Sequence, residues 1–166
     1  FWLQAVKLGE FKQVSTWDDF KQAPAKHQTE VSVMRDSKNL YFSFNVPDAL
    51  KDDRVELMLT AERGAPSYYF SLDRQGRRHD MKNFSPWDSA EWSGEVRKDK
   101  NSYAAVFRIP FSVIKELDAN ADDVKLYAKF SRLCSDGKIS GESSLTGYSI
   151  SRTHYMNYWK TLTIEK

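Results

Sequence analysis

Apolar and polar residues alternate position by position along several short stretches of the chain. In residues 103–109, Tyr103, Ala105, Phe107 and Ile109 occupy every second position, and smaller or charged residues lie between them. Because successive side chains of a β-strand point to opposite faces, this pattern predicts a strand with one buried face. The proline that follows has no N–H to donate to a neighbouring strand, so the strand is expected to end there.

The same alternation recurs along most of the chain and predicts about eight to ten strands. The other clear stretches are residues 31–34, 40–46, 55–59, 68–72, 92–96, 124–130 and 158–164. Residues 111–117 are expected to form at most one or two helical turns, and the Gly- and Ser-rich residues 135–147 a long loop. Since the sequence contains no long amphipathic helix, the chain is predicted to be all-β. The expected architecture is an antiparallel β-sandwich of the jelly-roll or immunoglobulin-like type.

Length and composition indicate one domain. With 166 residues, no internal repeat and no linker-like segment, the chain is expected to form a single domain over residues 1–166. It begins at Phe1 with neither an initiator Met nor a signal peptide, so we expect a processed protein or a part excised from a larger one. The single cysteine excludes a disulfide within the chain.

Charge and motifs argue against several functions. The net charge is only +2 and bases are interleaved with acids, so nucleic acid is not an expected partner. No apolar run approaches the roughly 20 residues that span a bilayer, so membrane insertion is not expected. The three histidines lack metal-ligand spacing, and the sequence has neither a phosphate loop nor a nucleophile elbow. We therefore predict a non-enzyme without a resident cofactor. Asp52 and Asp53 suggest a calcium site, although a solvated turn is the simpler explanation.

Several short segments follow one another in an order typical of one family. They are Asp52-Asp53-Arg54-Val55-Glu56-Leu57, Tyr69-Phe70 ahead of Asp73, Ile109-Pro110-Phe111-Ser112, Arg132 near the end of a late strand, and Trp159-Lys160-Thr161-Leu162-Thr163-Ile164. In order and spacing, the chain resembles the family 9 carbohydrate-binding modules, which belong to a superfamily with the DOMON domains. The resemblance implies a non-catalytic β-sandwich that binds a saccharide.

Saccharide sites combine flat aromatic side chains with charged or amide groups that bond to neighbouring hydroxyls. The candidates for such a site are Trp87, Tyr148, Glu56, Arg132, Arg77 and Asn83. Trp87 lies in a Pro-containing loop and serves either as a platform or as a loop anchor, and Tyr148 stands where the family has Trp. By resemblance, Glu56 and Arg132 line one ligand-facing sheet. The alternative is an internal Glu–Arg pair, because a guanidinium on an apolar face needs a partner. Trp92, on an apolar strand face, is expected in the core.

The main hypothesis is therefore non-catalytic carbohydrate binding by an accessory module of an extracytoplasmic protein, located outside the cell, in the periplasm or at the cell surface. The expected partners are a saccharide or polysaccharide and other domains of a parent protein. Two alternatives stay open. One is a structural or docking module without affinity for sugars. The other is a haem-binding domain of the DOMON type, with Met34, Met58, Met81 or a histidine as an axial ligand.

Overall fold

The computed structural model describes residues 6–13, 28–135, 140–145 and 159–165, and these form thirteen β-strands. β1 to β7 are Val6–Lys7, Lys12–Gln13, Glu30–Arg35, Asn39–Val46, Arg54–Thr60, Tyr68–Asp73 and Arg78–Lys82. β8 to β13 are Ser85–Pro86, Ser93–Lys98, Tyr103–Pro110, Asp123–Ser135, Ser140–Ser144 and Lys160–Glu165. Ten of these strands have five residues or more, which agrees with the number that the alternation predicts. Among the described residues, no helix is long and apolar enough to cross a membrane.

The strands form two antiparallel sheets. The smaller sheet has the order β1-β3-β4-β10-β9, and the larger has the order β2-β12-β11-β5-β6-β7-β8. β13 belongs to the larger sheet as well, because it pairs with the first half of β11 while β12 pairs with the second half. β5 pairs with the opposite edge of β11. The predicted all-β antiparallel sandwich is confirmed.

The alternation of residues places a large apolar core between the two sheets. Phe42, Phe44 and Phe107 of the smaller sheet are fully buried, and the ring centroid of Phe130 lies 6.0 Å from those of Phe42 and Phe44. Trp92, predicted in the core, is fully buried and stacks on Phe107 at 5.9 Å. Such aromatic contacts add to the free energy gained by removing apolar surface from water.

One local prediction is wrong. The loop predicted over residues 135–147 contains β12, which pairs with residues 131–135 at the end of β11. β12 consists of serine, glycine and glutamate, so no apolar alternation marks the strand in the sequence. After β10 the chain makes single turns, closed by the amides of Val113 and Leu117, which donate to the carbonyls of Pro110 and Ile114.

Candidate functional site

The larger sheet has an inner face toward the core and an outer face turned away from the smaller sheet. Along β5, Val55, Leu57 and Leu59 belong to the core, so Glu56 and Met58 point outward. These outer side chains are buried all the same, since only 2% of Glu56 and 3% of Met58 is exposed. A buried carboxylate on the outward face of a sheet is unusual, because such faces are commonly solvated. The outer face is therefore the first candidate for a functional site.

Several outer residues lie side by side across consecutive strands near one end of this sheet. Glu142 of β12 is opposite Leu133 of β11, Leu133 is opposite Arg54 of β5, and Arg54 is opposite Asp73 of β6. Arg77, in the turn after β6, donates through Nε to the Asp73 carboxylate. We name the four charged residues Glu142, Arg54, Asp73 and Arg77 the charged row. Arg54 and Asp73 are cross-strand neighbours of opposite charge and stabilise one another, and Arg77 places a second cation beside Asp73.

A cavity of about 420 Å³ opens beside one half of the charged row. Its lining residues are Asp52, Arg54, Leu133, Cys134, Ser135, Gly141 and Glu142. The volume lies in the range of pockets that hold small molecules. Arg54 contributes a guanidinium, Asp52 and Glu142 contribute carboxylates, and Leu133 contributes apolar surface. The cavity therefore offers hydrogen-bond donors, acceptors and an apolar patch to one small ligand.

Glu56 holds Arg54 in place from the neighbouring outer position. Its Oε1 accepts hydrogen bonds from Nε of Arg54 at 2.9 Å and from the hydroxyl of Tyr69 at 2.6 Å. Its Oε2 accepts one from the hydroxyl of Ser131, which lies directly opposite on β11, at 3.0 Å. We call Glu56, Tyr69 and Ser131 the clamp. The Arg54 side chain is 49% exposed, and its hydrogen bonds within the described residues go through Nε alone, so the clamp leaves its two terminal nitrogens for a ligand.

An apolar and aromatic cluster surrounds the clamp. Met58, Tyr69 and Trp159 are buried together on the outer face, and Met81 packs against them. Burial first, and then the adjacent Glu56 carboxylate, raise the pKa of the Tyr69 hydroxyl above its usual value. The phenol therefore stays protonated across the neutral pH range and keeps donating to Glu56.

Arg132 points the opposite way, into the sandwich, on the same strand face as Phe130. Its Nη2 donates to the Asp53 carboxylate at 2.7 Å and to the backbone carbonyl of Asp48 at 3.1 Å. The exposed fractions of the Arg132 and Asp53 side chains are 2% and 0%. The prediction that Glu56 and Arg132 line one surface is wrong, because the two residues occupy opposite faces of the larger sheet. The alternative, an internal pair of Glu56 with Arg132, is wrong as well, because Arg132 pairs with Asp53 and Glu56 with Arg54.

Trp87 serves as a loop anchor on the other side of the sheet from the clamp. Its half-buried ring lies 5.6 Å from the ring of Tyr68, an inner-face residue of β6. The ammonium of Lys82 lies over both rings, 5.1 Å from the Tyr68 centroid and 5.8 Å from that of Trp87. The predicted common surface for Trp87, Glu56 and Arg132 therefore does not form, because packing against Tyr68 directs Trp87 toward the core.

The other predicted site residues lie apart from one another. Asn83 is in the turn between β7 and β8, where its side-chain oxygen accepts a hydrogen bond from the amide of Ser67 at 3.0 Å. Arg77 lies at the opposite end of β7 and belongs to the charged row. β7 separates Asn83 from Arg77, so the two do not contact one ligand position. Tyr148 lies outside the described residues.

The candidate cofactor ligands are also separated. The Asp53 carboxylate is bonded to Arg132, whereas Asp52 lines the cavity. Within the described ranges, no group of three or more His, Cys, Asp or Glu side chains is placed to hold a metal ion. Met58 and Met81 share the outer cluster, while Met34 lies on β3 of the smaller sheet. The calcium and haem hypotheses stay predictions.

The sequence patterns do not single out Arg54 and Glu142. Arg54 lies two residues before Glu56 and therefore on the same strand face, which is the signal that could have identified it. Glu142 has no such signal, because β12 lacks apolar alternation. Its place opposite Leu133 depends on the pairing of β11 with β12.

Comparisons with known proteins identify the fold. No protein-family model and no curated protein matches the chain. Among solved structures, a family 9 carbohydrate-binding module of Caldicellulosiruptor kristjanssonii in complex with glucose matches with a TM-score of 0.74 and 10% identity, over 99% of this chain and 86% of that chain. A family 9 module of the same organism in complex with cellotriose matches with a TM-score of 0.73 and 10% identity, over 99% and 84%. A Bacteroides uniformis protein assigned provisionally to carbohydrate binding matches with a TM-score of 0.70 and 14% identity, over 97% and 87%. The chain thus has the fold of the family 9 carbohydrate-binding modules.

Proposed function

We propose that the chain is a non-catalytic carbohydrate-binding module that holds a saccharide in the cavity beside Arg54. The observation that supports this function most directly is the exposure, hydrogen bonding and position of the Arg54 guanidinium. It is half exposed, bonded to the buried Glu56 carboxylate, and placed at a cavity of about 420 Å³. A planar guanidinium held in one orientation suits neighbouring hydroxyl groups of a sugar, because its terminal nitrogens donate hydrogen bonds in a fixed geometry.

The rest of the cavity complements a sugar. Asp52 and Glu142 supply carboxylate oxygens that accept hydrogen bonds from hydroxyls, and Leu133 supplies apolar surface for the C–H groups of a sugar ring.

The similar structures support the same ligand class. Two of them are in complex with glucose and cellotriose, and both match nearly the whole chain. Glucose and cello-oligosaccharides are therefore the ligands that this function assigns to the cavity. The same proposal includes DOMON-like ancestry, an accessory role beside other domains and a location outside the cytoplasm. A complete coding sequence with an export signal and an adjoining carbohydrate-active domain would support the last two.

Isothermal titration calorimetry with glucose, cellobiose and cellotriose tests this function. We expect the wild-type protein to bind these sugars, and Arg54→Gln to weaken binding by about tenfold or more, because it removes charge-assisted hydrogen bonds. Arg97→Gln is the matched control, since Arg97 is an exposed arginine on β9 of the smaller sheet. It is expected to bind as the wild type does. Wild-type protein that binds none of the three sugars contradicts the proposal and favours the docking module.

A second variant separates positioning from direct contact. Glu56 is only 2% exposed, so it acts on a sugar through Arg54. Glu56→Gln is expected to lower affinity by about threefold, less than Arg54→Gln does, because a glutamine oxygen still accepts one hydrogen bond from Arg54. Glu95→Gln, at an exposed position of β9, is the control. Chromatography of the sugars after long incubation is expected to show no cleavage, and cleavage would contradict the non-catalytic part of the proposal.

A further inference from the structure

A second depression lies at the β7 edge of the larger sheet. This groove has a volume of about 380 Å³, and its lining residues are Arg78, His79, Asp80, Pro86 and Asp88. β8 pairs only with Met81 and Lys82, so the first part of β7 borders the groove instead of another strand. The groove therefore occupies the place where the sheet is left without a full neighbour.

The register of the strands connects this groove with the Arg54 cavity along the end of the sheet. Arg54 of β5 is opposite Asp73 of β6, and Arg78 of β7 is opposite the preceding residue of β6, so Arg54 and the start of β7 are two strand spacings apart. This distance, about 10 Å, exceeds the width of one sugar ring. Glu56 and its neighbour Ser71 are buried, so the exposed path follows the charged row. The row ends at Arg77, which is 78% exposed and directly precedes Arg78 of the groove.

The wall of the groove is held firmly against β7. Asp80 accepts hydrogen bonds from the amide of Ser89 at 3.1 Å and from the indole of Trp92 at 2.7 Å. Arg78 donates to the backbone carbonyls of Ser89 at 3.0 Å and of Trp92 at 2.8 Å. These four bonds fix the loop that follows β8, so the groove has a preformed shape, and a ligand does not have to order it.

The chain beside the groove is strained. Among the described residues, four that are not glycine have a left-handed φ, and three of them are Asn83 at 49°, Phe84 at 64° and Asp88 at 54°. Asn and Asp tolerate this conformation, whereas at Phe84 it costs free energy, and such strained residues concentrate near ligand sites. Phe84 is also 50% exposed, and within the described part of the chain it is the large hydrophobic side chain that stands out in this way. His79 and Asp88 are exposed as well, so both can reach a ligand in the groove.

From this placement we infer that the saccharide site extends from the Arg54 cavity along the charged row, past Asp73 and Arg77, to His79 and Asp88, so that the protein binds a chain of several sugar residues. The inference rests on the proposed function. The imidazole of His79 and the carboxylate of Asp88 bond to hydroxyls of the more distant sugar residues, and the ring of Pro86 packs against their apolar faces. Arg78 and Asp80 shape the groove through their hydrogen bonds to the loop that follows β8.

Calorimetry with glucose, cellotriose and cellohexaose tests the extended site. We expect the wild type to bind cellohexaose about tenfold more tightly than glucose, because only the longer chain reaches the groove. Asp88→Asn keeps a side chain that tolerates a left-handed φ while it removes the charge. It and His79→Ala are each expected to weaken cellohexaose binding by about fivefold and to change glucose binding by less than about twofold. Asp122→Asn, an exposed residue before β11, is the matched control.

The outcomes distinguish this inference from the function on which it rests. Equal wild-type affinities for glucose and cellohexaose overturn the extended site and leave the Arg54 cavity as a one-sugar site. Unchanged cellohexaose binding in both groove variants overturns it as well. Absence of binding to every sugar overturns the proposed function, and the extension with it.

Discussion

Two charged groups lie back to back on β5 and β11 of the larger sheet, and they are built differently. On the outer face, the carboxylate of Glu56 accepts hydrogen bonds from three neighbouring side chains. On the inner face, Arg132 is paired with Asp53, yet Nε and Nη1 of Arg132 are buried and have no hydrogen-bond partner among the described residues. The outer group holds the half-exposed Arg54 beside a cavity, whereas the inner pair is sealed from water. The outer group is therefore suited to position a ligand contact, and the inner pair to stabilise the fold.

The inner pair stabilises the connection that leads into β5. Arg132 also donates to the backbone carbonyl of Asp48, so it joins β11 to the loop between β4 and β5. Within the part of the chain that the structure describes, the hydroxyl of Tyr103 is a further buried atom without a hydrogen-bond partner. Burial, followed by the charge of Asp53, raises the pKa of Tyr103 above its usual value. Buried polar atoms without partners cost free energy, so this end of the sandwich tolerates little further loss.

The largest expected effect comes from breaking the inner pair. Arg132→Met leaves the Asp53 carboxylate buried without its partner, and we expect the free energy of unfolding to fall by about 4 kcal/mol. Urea denaturation at neutral pH measures the change. Arg108→Met is the matched control, since Arg108 is an exposed arginine on β10, and a change of only about 0.5 kcal/mol is expected there.

A double variant shows why the single change is costly. Arg132→Met combined with Asp53→Leu replaces the pair by apolar side chains, and most of the lost stability is expected to return, because no unpaired charge remains. The double variant is also expected to bind sugar as the wild type does, since Arg54 and Glu56 stay in place. A double variant as unstable as Arg132→Met would show that the loss comes from the loop contact with Asp48 instead.

A smaller effect is expected from weakening the outer clamp. Tyr69→Phe removes the hydroxyl that donates to Glu56 at 2.6 Å, and we expect the free energy of unfolding to fall by about 2 kcal/mol, since the acceptor is charged and buried. The bond from Arg54 to Glu56 remains, so saccharide affinity is expected to change by less than about twofold. Tyr127→Phe controls for the loss of a hydroxyl, because Tyr127 of β11 lies on the same outer face of the sheet as Tyr69. A loss of affinity as large as that of Arg54→Gln would mean that Tyr69 contacts the sugar itself.

The sequence predicts which residues share a strand face, and this includes the placement of Glu56 and Arg132. Alternation places Arg132 on the apolar face of β11 that also carries Phe130. It places Glu56 on the face of β5 that does not carry the apolar Leu57, so the two charged residues lie on different faces of the sheet. The family resemblance implied that Glu56 and Arg132 line one surface, which the strand geometry contradicts. Asp53 lies two residues before Val55 and therefore on the same inner face, so the sequence also indicates the face of Arg132's partner.

The parts that the sequence did not predict depend on pairing between distant segments. The cavity forms where β12 lies beside β11. The polar residues of β12 show no alternation that would predict a strand or its register. Trp87 is ambiguous for a similar reason. A Trp after a proline fits a platform or an anchor equally well, and only its contact with Tyr68 decides for the anchor.

The smallest expected effect concerns Asp53 and Asp73, two carboxylates near the same end of the sheet whose contributions to stability depend on pH in opposite ways. Asp53 has its pKa raised, mainly by burial. Asp73 is affected by burial too, but the amide and guanidinium of Arg77 and the amide of Gln75 outweigh it and hold its pKa below the usual value. A group whose pKa is lower in the folded state stabilises that state above the ordinary Asp pKa, and this contribution is lost as the pH falls.

Asp73→Asn is therefore expected to lower the free energy of unfolding by about 1 kcal/mol at neutral pH, and the difference from the wild type is expected to shrink below about pH 4. Urea denaturation at several pH values measures it, with Asp122→Asn as the control. For Asp53 the sign is opposite, because the folded state binds its proton more tightly than the unfolded state does. Its contribution is complete below the ordinary Asp pKa and declines as the pH rises through the raised value. A difference for Asp73→Asn that stays constant with pH would show that its bonds to the turn do not depend on its charge, and the outer and inner carboxylates would then not differ in the way the contacts indicate.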